Sequence, residues 1–134
     1  MMFLFDTDTL SQIMKRNPSP SLLARMHGTP PNEQFTSAIT IGEIVFGAQR
    51  SSRREYLMSQ LEELLWPNLN VLPFDQAAAM TYGRIRAELE LAGTPLAEAD
   101  LRMGAIALNR DLTVITGNTR HFSRIPVLKL DNWL

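Results

Sequence analysis

Short apolar segments alternate with helical segments along the chain, and this alternation constrains the fold more than any other feature. The strand candidates are Phe3–Phe5, Phe35–Ile39, Asn70–Leu72, Thr113–Thr116 and Val127–Leu130. The fourth of these is β-branched at every position, which favours extended backbone. Runs this short and this apolar are typical of strands that are buried on both faces of a parallel sheet.

The segments between the strand candidates carry the spacing and the boundary signals of helices. Asp75 is a candidate N-cap of a helix that reaches Ala92, and Gly93 is a candidate terminator of that helix. The other helix candidates lie around Leu10–Met14 and Leu22–Met26 and over Thr40–Phe46, Arg53–Leu65 and Leu96–Asn109. Because strands that alternate with helices form βαβ units, we expect one α/β domain over residues 1–134. Its sheet should be short and mainly parallel, with four to five strands flanked by helices on both faces.

Composition and charge exclude several functional classes. The chain has 134 residues and no cysteine, and its 13 Lys and Arg against 14 Asp and Glu give a net charge of −1. Without cysteine there is no disulfide, thiolate metal site or thiol nucleophile. The nearly balanced charge argues against a surface that binds polyanions without discrimination. No apolar run approaches the ~20 residues that a bilayer span needs. We therefore expect a cytoplasmic protein with no membrane partner.

Acidic and amide side chains lie close to the ends of the predicted strands. Asp6 directly follows the first strand, Glu43 follows the second by about one helical turn, and Asn118 lies just past the fourth. Asp100, with Glu98 nearby, opens the helix that precedes the fourth strand. Because sites in such folds form outside the carboxyl ends of the strands, we expect these side chains to lie close together.

A cluster of carboxylates favours a divalent cation. Neighbouring carboxylates repel one another, which raises their pKa values and costs stability unless a cation is present. Mg²⁺ takes oxygen ligands and keeps several waters. Such an ion activates one of its waters and neutralises charge on a phosphoryl oxygen. The reaction that this predicted cluster suits best is hydrolysis of phosphodiester bonds.

Each acid taken alone also has a purely structural explanation. Asp6 and Asp8 are both candidate N-caps of the first helix, and Asp8 is the better candidate for a cap with no other role. A glutamate such as Glu43 is usually solvated on a helix face, and the helix dipole favours an acid at Asp100. What favours a shared site is the position of all these acids relative to the strand ends.

Four segments resemble the motifs of PIN-domain ribonucleases and, among them, of VapC toxins. They match in order, over the whole chain and without large insertions. The segments are Phe3–Ser11; Thr40–Ala48; Gly93–Asp100 with Ala105–Ala107 after it; and Thr116–Phe122 followed by Ile125–Val127 and Asp131–Trp133.

The resemblance implies a role for each candidate site residue. It makes Asp6, Glu43 and Asp100 the catalytic acids that bind Mg²⁺, or Mn²⁺ in its place. Asn118 falls where many PIN domains carry a fourth acid and where this branch often has asparagine, so it is a further candidate metal ligand. Glu98 is another, although it is not a fixed position of the family.

The resemblance also implies the substrate and the partners. It implies an endoribonuclease toxin that hydrolyses structured RNA, often a tRNA, by means of a metal-activated water. It further implies a homodimer and a VapB-like antitoxin, which binds the toxin in a heterotetramer or a larger complex. Arg84, Arg86 and Arg120 lie near the acids in the sequence and are candidate RNA contacts, because the planar fork of arginine suits phosphate. A solvated helix face is the alternative explanation for each of them.

The alternative function is that of a catalytically silent PIN scaffold, which acts as a binding module in an RNA-processing complex. The presence of all three acids favours the enzyme, because a lapsed site has no reason to keep neighbouring charges that cost stability.

Overall fold

Five short strands form one parallel sheet in the computed structural model, which describes residues 1–134. The strands are β1 (Phe3–Phe5), β2 (Gln34–Ser37), β3 (Asn70–Leu72), β4 (Thr113–Ile115) and β5 (Lys129–Asp131). Their order across the sheet is β3-β2-β1-β4-β5, and every neighbouring pair is parallel. The expected α/β fold with a short parallel sheet is confirmed, and the sheet is parallel throughout.

Seven α-helices connect and follow the strands. They are α1 (Thr7–Ile13), α2 (Pro20–His27), α3 (Ala38–Arg50), α4 (Arg54–Gln60), α5 (Gln76–Leu91), α6 (Glu98–Asn109) and α7 (Thr119–Phe122). Single turns of 3₁₀-helix occupy Pro31–Glu33 and Trp66–Asn68, and a π-helical turn occupies Leu61–Leu65. None of the helices is both long and apolar enough to cross a membrane.

Alternate residues of the central strands enter two separate cores. Leu4 of β1 and Val114 of β4 belong to a cluster that includes residues of α5 and α6. Phe5 and Ile115, the next residue of each strand, belong to a second cluster with residues of α1, α2 and α3. Because successive side chains of a strand point to opposite faces, the two clusters lie on the two faces of the sheet. Helices therefore cover both faces, as the apolar strands predict.

Polar caps position the helices that leave the sheet. The Asp6 side chain accepts a hydrogen bond from the Thr9 amide and caps α1, while Asp75 caps α5 in the expected way. The prediction that Asp8 is the purely structural cap is wrong. Asp8 lies inside the first turn of α1, so its side chain is too far along the helix to take the cap position.

Several element ends differ from the prediction for identifiable reasons. Ser37 caps α3, so Ala38 and Ile39 are helical instead of continuing β2, and α3 runs on to Arg50. The helix expected over Arg53–Leu65 changes from α to π geometry after Gln60. The last strand begins two residues later than expected, after Val127, whose φ is +59°. The short helix α7 was not predicted.

The strand order places a crevice beside β1. The chain moves outward from β1 to β2 and β3 on one side and to β4 and β5 on the other. Such a reversal leaves space between the connections that follow the two neighbouring strands, at their carboxyl ends. Asp6 follows β1 directly, so it lies at this crevice.

We predict that Ser37→Ala lowers the free energy of unfolding by about 1–2 kcal/mol, because a buried helix cap is lost. The Ser37 hydroxyl is fully buried and accepts a hydrogen bond from the Thr40 amide at 3.0 Å. Urea unfolding measures the loss. Ser19→Ala removes the cap of α2 at the partly exposed Ser19. It should lower the free energy of unfolding by less, because water can replace the lost hydrogen bond there. An equal loss in both variants would contradict this explanation.

Candidate functional site

Asp6 is the buried member of the candidate site. It is 3% exposed, and its Oδ1 accepts the Thr9 amide at 2.8 Å. Burial raises the pKa of the Asp6 carboxyl above its usual value, while hydrogen bonds from Thr116 and Thr9 offset part of this effect and the charge of Asp8 adds to it. The site therefore contains a carboxylate that is costly to keep ionised without a cation.

Glu43 reaches the site from α3. It lies in the second turn of that helix, and the Thr7 hydroxyl donates a hydrogen bond of 2.5 Å to its Oε1. Thr7 is the first residue of α1, next to Asp6. The two acids are thus brought together by contact between helices that follow neighbouring strands.

Asp100 reaches the site from the first turn of α6. Its Oδ2 lies 3.0 Å from Nε2 of His121, the third residue of α7. Partial burial raises the pKa of the Asp100 carboxyl, and the charges of Glu43 and Asp6 raise it further, while His121 lowers it. The three acids therefore influence one another electrostatically, as side chains of one site do.

Asn118 completes the rim of the site. It follows β4 and precedes α7, and its backbone N–H donates to the Thr116 hydroxyl at 2.9 Å. A small cavity of about 110 Å³ joins these side chains. It is lined by Asp6, Thr7, Asp8, Glu43, Asp100, Asn118 and Phe122, and we call it the acidic pocket.

The donor set of the acidic pocket fits a divalent cation of the Mg²⁺ type. Three carboxylates and an amide oxygen are hard ligands, and the cavity has room for an ion with a few waters. No three of the acidic or histidine side chains already surround one point. Thr7 and His121 instead hold two of the carboxylates by hydrogen bonds. The pocket thus supplies ligands of the right chemistry, although they do not form a preassembled ligand set.

Glu98 does not lie in the acidic pocket. It accepts a hydrogen bond from Tyr82, which is the main reason that its pKa is lowered, and it forms ion pairs with Arg86 and Arg102. Residues two apart in a helix do not share a face, so Asp100 enters the pocket and Glu98 turns to α5. The prediction of Glu98 as a metal ligand did not take into account that Glu98 and Asp100 lie on different faces of α6.

The candidate RNA contacts are exposed. Arg84 pairs with Glu88, and Arg86 pairs with Glu90 in addition to Glu98, so both are engaged on the surface of α5. Arg120 lies in α7, next to His121, and forms no ion pair. Their role in RNA binding stays a prediction.

Sequence reasoning missed two contacts that hold the acids. Thr7 binds Glu43, and His121 binds Asp100. Their only signal in the sequence is proximity to the predicted site residues, because Thr7 follows Asp6 and His121 lies three residues after Asn118.

Comparison with known proteins gives a consistent result. The model of the PIN domain family matches residues 3–128. The chain is 33% identical to the tRNA(fMet)-specific endonuclease VapC of Salmonella typhimurium, over 98% of this chain and 97% of the relative. It is 29% identical to Ribonuclease VapC2 of Haemophilus influenzae, over 98% of both chains. Among solved structures, a chain of VapBC2 from Rickettsia felis bound to a promoter DNA fragment superposes with a TM-score of 0.93, at 27% identity and full coverage of both chains.

We predict that Asp6→Asn makes the metal-free protein more stable at neutral pH. Asparagine keeps the N-cap of α1 and removes a buried charge. Because the pKa of Asp6 is raised in the folded state, the protonated form is the one that stabilises folding. That contribution is lost as the pH rises through the folded pKa. The gain from Asp6→Asn should therefore be absent in acid and should grow as the pH rises.

Thermal unfolding in EDTA over a range of pH measures this effect. Asp75→Asn is the matched control, because Asp75 is also the N-cap of a helix but lies outside the acidic pocket. A stability gain that is equal in both variants, or that is largest in acid, would contradict the prediction.

Proposed function

The chain belongs to the PIN-domain family and, within it, to the VapC branch, and on this premise we propose that it is the endoribonuclease toxin of a VapBC-type toxin–antitoxin pair. One observation carries the proposal. Asp6, Glu43 and Asp100, which lie in three distant parts of the sequence, line one small pocket at the carboxyl edge of the sheet.

The residues of the acidic pocket have distinct roles in this proposal. Asp6, Glu43 and Asp100 would hold Mg²⁺ or Mn²⁺, with Asn118 as an additional neutral ligand. When bound, such an ion supplies an activated water and neutralises charge on the scissile phosphate. Asp6 cannot turn away, because it also caps α1, and it therefore fixes the position of the ligand set.

Thr7 and His121 position two of the acids. The Thr7 hydroxyl donates to Glu43, and His121 contacts Asp100. Hydrogen-bond partners of this kind orient the side chains that ligate a metal. Because His121 is engaged with Asp100, the proposal gives it this positioning role and not the role of a base.

We further propose that the substrate is a structured RNA of the tRNA class. One relative carries a name that specifies tRNA(fMet), and the net charge of −1 suits selection of an RNA by its shape better than tight binding of any polyanion.

We expect Asp6→Asn and Asp100→Asn each to lower the rate of RNA cleavage by more than about a hundredfold, because each removes a carboxylate that would hold the divalent cation. Cleavage of purified total tRNA, with Mg²⁺ and with EDTA, is the measurement. Asp111→Asn is the control: Asp111 is exposed and has a φ of +57°, a conformation that asparagine also accepts. Undiminished cleavage by Asp6→Asn, or in EDTA, would overturn the assignment.

A metal titration separates this enzyme from a catalytically silent scaffold. Millimolar Mn²⁺ should raise the melting temperature of the wild-type protein, because the ion binds only the folded state. Asp6→Asn should show a much smaller rise. A wild-type protein that neither cleaves RNA nor gains stability from Mn²⁺ would support the scaffold instead.

We also propose an antitoxin partner of the VapB type and a homodimer, assembled into a heterotetramer or a larger complex. The Rickettsia felis neighbour is a VapBC complex. We expect the product of an adjacent small reading frame to co-purify with this chain and to suppress its nuclease activity. Light scattering of the complex measures the stoichiometry. A co-purified partner that leaves cleavage unchanged would contradict the inhibitory role.

A further inference from the structure

A second cavity adjoins the acidic pocket. It has a volume of about 390 Å³ and lies between α1, α3 and the start of α4, and we call it the α1–α4 cleft. Thr7 and Glu43, which are joined by a hydrogen bond, line both the cleft and the acidic pocket. The two cavities therefore adjoin at this pair, so a chain molecule bound at the acids that passes over Thr7 and Glu43 reaches the cleft.

The rim of the cleft carries three cations that lack an ionic partner. They are Lys15 and Arg16, which follow α1, and Arg53, which precedes α4. None of the three takes part in an ion pair, and Glu43 is the only carboxylate that lines the cleft. The Arg53 guanidinium lies 4.5 Å from the ring centre of Tyr56. A cation held in this way keeps its donors free for an anion.

Most other cations of the protein are neutralised locally. Six of the 13 Lys and Arg side chains pair with carboxylates: Arg25, Arg84, Arg86, Arg102, Arg110 and Lys129. On the opposite flank of the acidic pocket, the arginines of α5 and α6 are among these paired cations. Arg120 of α7 forms no ion pair and also lies near the pocket, so unpaired charge is present there as a single cation and at the cleft as a group of three.

The floor of the cleft is apolar and open. Met14, Ile44 and Leu57 line it, and a Cβ built on Gly47 meets no atom within 4 Å. Its volume falls within the range of sites for small organic ligands, about 300–1,000 Å³. An apolar floor beneath a cationic rim matches a nucleotide, whose base is apolar on its faces and whose phosphate is anionic.

We propose that the α1–α4 cleft binds the RNA segment next to the scissile phosphate, with Lys15, Arg16 and Arg53 contacting its phosphates and the apolar floor contacting a base. This inference rests on the proposed nuclease function and adds to it the path of the substrate. The seven residues of α1 span about 10 Å at 1.5 Å per residue, a distance that a few nucleotides cover.

The test is a binding measurement without turnover. Every variant carries Asp6→Asn, and the probe is purified tRNA with a fluorescein label at its 3′ end, in Mg²⁺ buffer. The test variant carries Lys15→Gln and Arg53→Gln together. The control variant carries Lys129→Gln and Arg110→Gln, so it also loses one lysine and one arginine charge, but at positions outside the cleft. We expect the Lys15→Gln and Arg53→Gln double variant to weaken RNA binding roughly tenfold. The slope of log K against log salt concentration should fall by the equivalent of about 1–2 phosphate contacts. The control double variant should change both quantities little.

A second pair of variants tests the shape of the cleft without removing charge. Gly47→Gln places a side chain in the cleft, whereas Gly83→Gln places one in open space on α5. Both exchanges favour the helix, so the fold should persist. We expect Gly47→Gln to weaken RNA binding several-fold and Gly83→Gln to leave it unchanged.

The outcomes are distinguishable. Equal RNA binding by the cleft variants and their controls overturns the proposal. Normal RNA binding combined with lost affinity for the antitoxin assigns the cleft to the protein partner, which also overturns it. No step of this test needs cleavage. If the cleft variants lose RNA binding but the wild-type protein does not cut RNA, the proposed nuclease activity is refuted and the proposed RNA path is not.

Discussion

The buried carboxylate of Asp6 is the constraint on which the rest of the structure depends. Asp6 directly follows the central strand and caps the first helix: its side chain accepts a hydrogen bond from the Thr9 amide, and its backbone amide donates to the Ile115 carbonyl of β4. The same position removes it from solvent, so its charge is unfavourable. The cap interpretation and the site interpretation of Asp6 are therefore not alternatives. The cap fixes the carboxylate in a place where its charge is relieved by a bound cation or by protonation.

The sequence was sufficient for the sheet and for the neighbourhood of the acids. The strands are apolar on both faces because helices cover both, and the ends of parallel strands must share an edge. Element ends were harder to predict where a polar residue suits two roles. Ser37 is compatible with a strand end and with a cap, and it serves as both. Asp8 is of a residue type that often caps helices, but the first helix begins two residues too early for it.

The contacts that hold the acids could not be predicted from the sequence. Thr7 and Glu43 are 36 residues apart, and Asp100 and His121 are 21 apart. Whether such pairs meet depends on how one helix is rotated against another, and the strand ends do not determine that rotation. Glu98 is the converse case, a residue close to the site in sequence that the fold places outside it. It is close to Asp100 in sequence, yet the helical period turns it toward α5, where it binds Tyr82 and Arg86.

The net charge of −1 conceals an unequal distribution of cations around the acidic pocket. On α5 and α6, arginines pair with carboxylates such as Glu88 and Glu98, so their field is weak at a distance. At the α1–α4 cleft, the charges of Lys15, Arg16 and Arg53 add together, because none of the three forms an ion pair. A polyanion that approaches the acids is therefore attracted more strongly on the side of the cleft than on the side of α5 and α6. This asymmetry favours a substrate path across the end of α1, which a symmetric ring of arginines around the same acids would not provide.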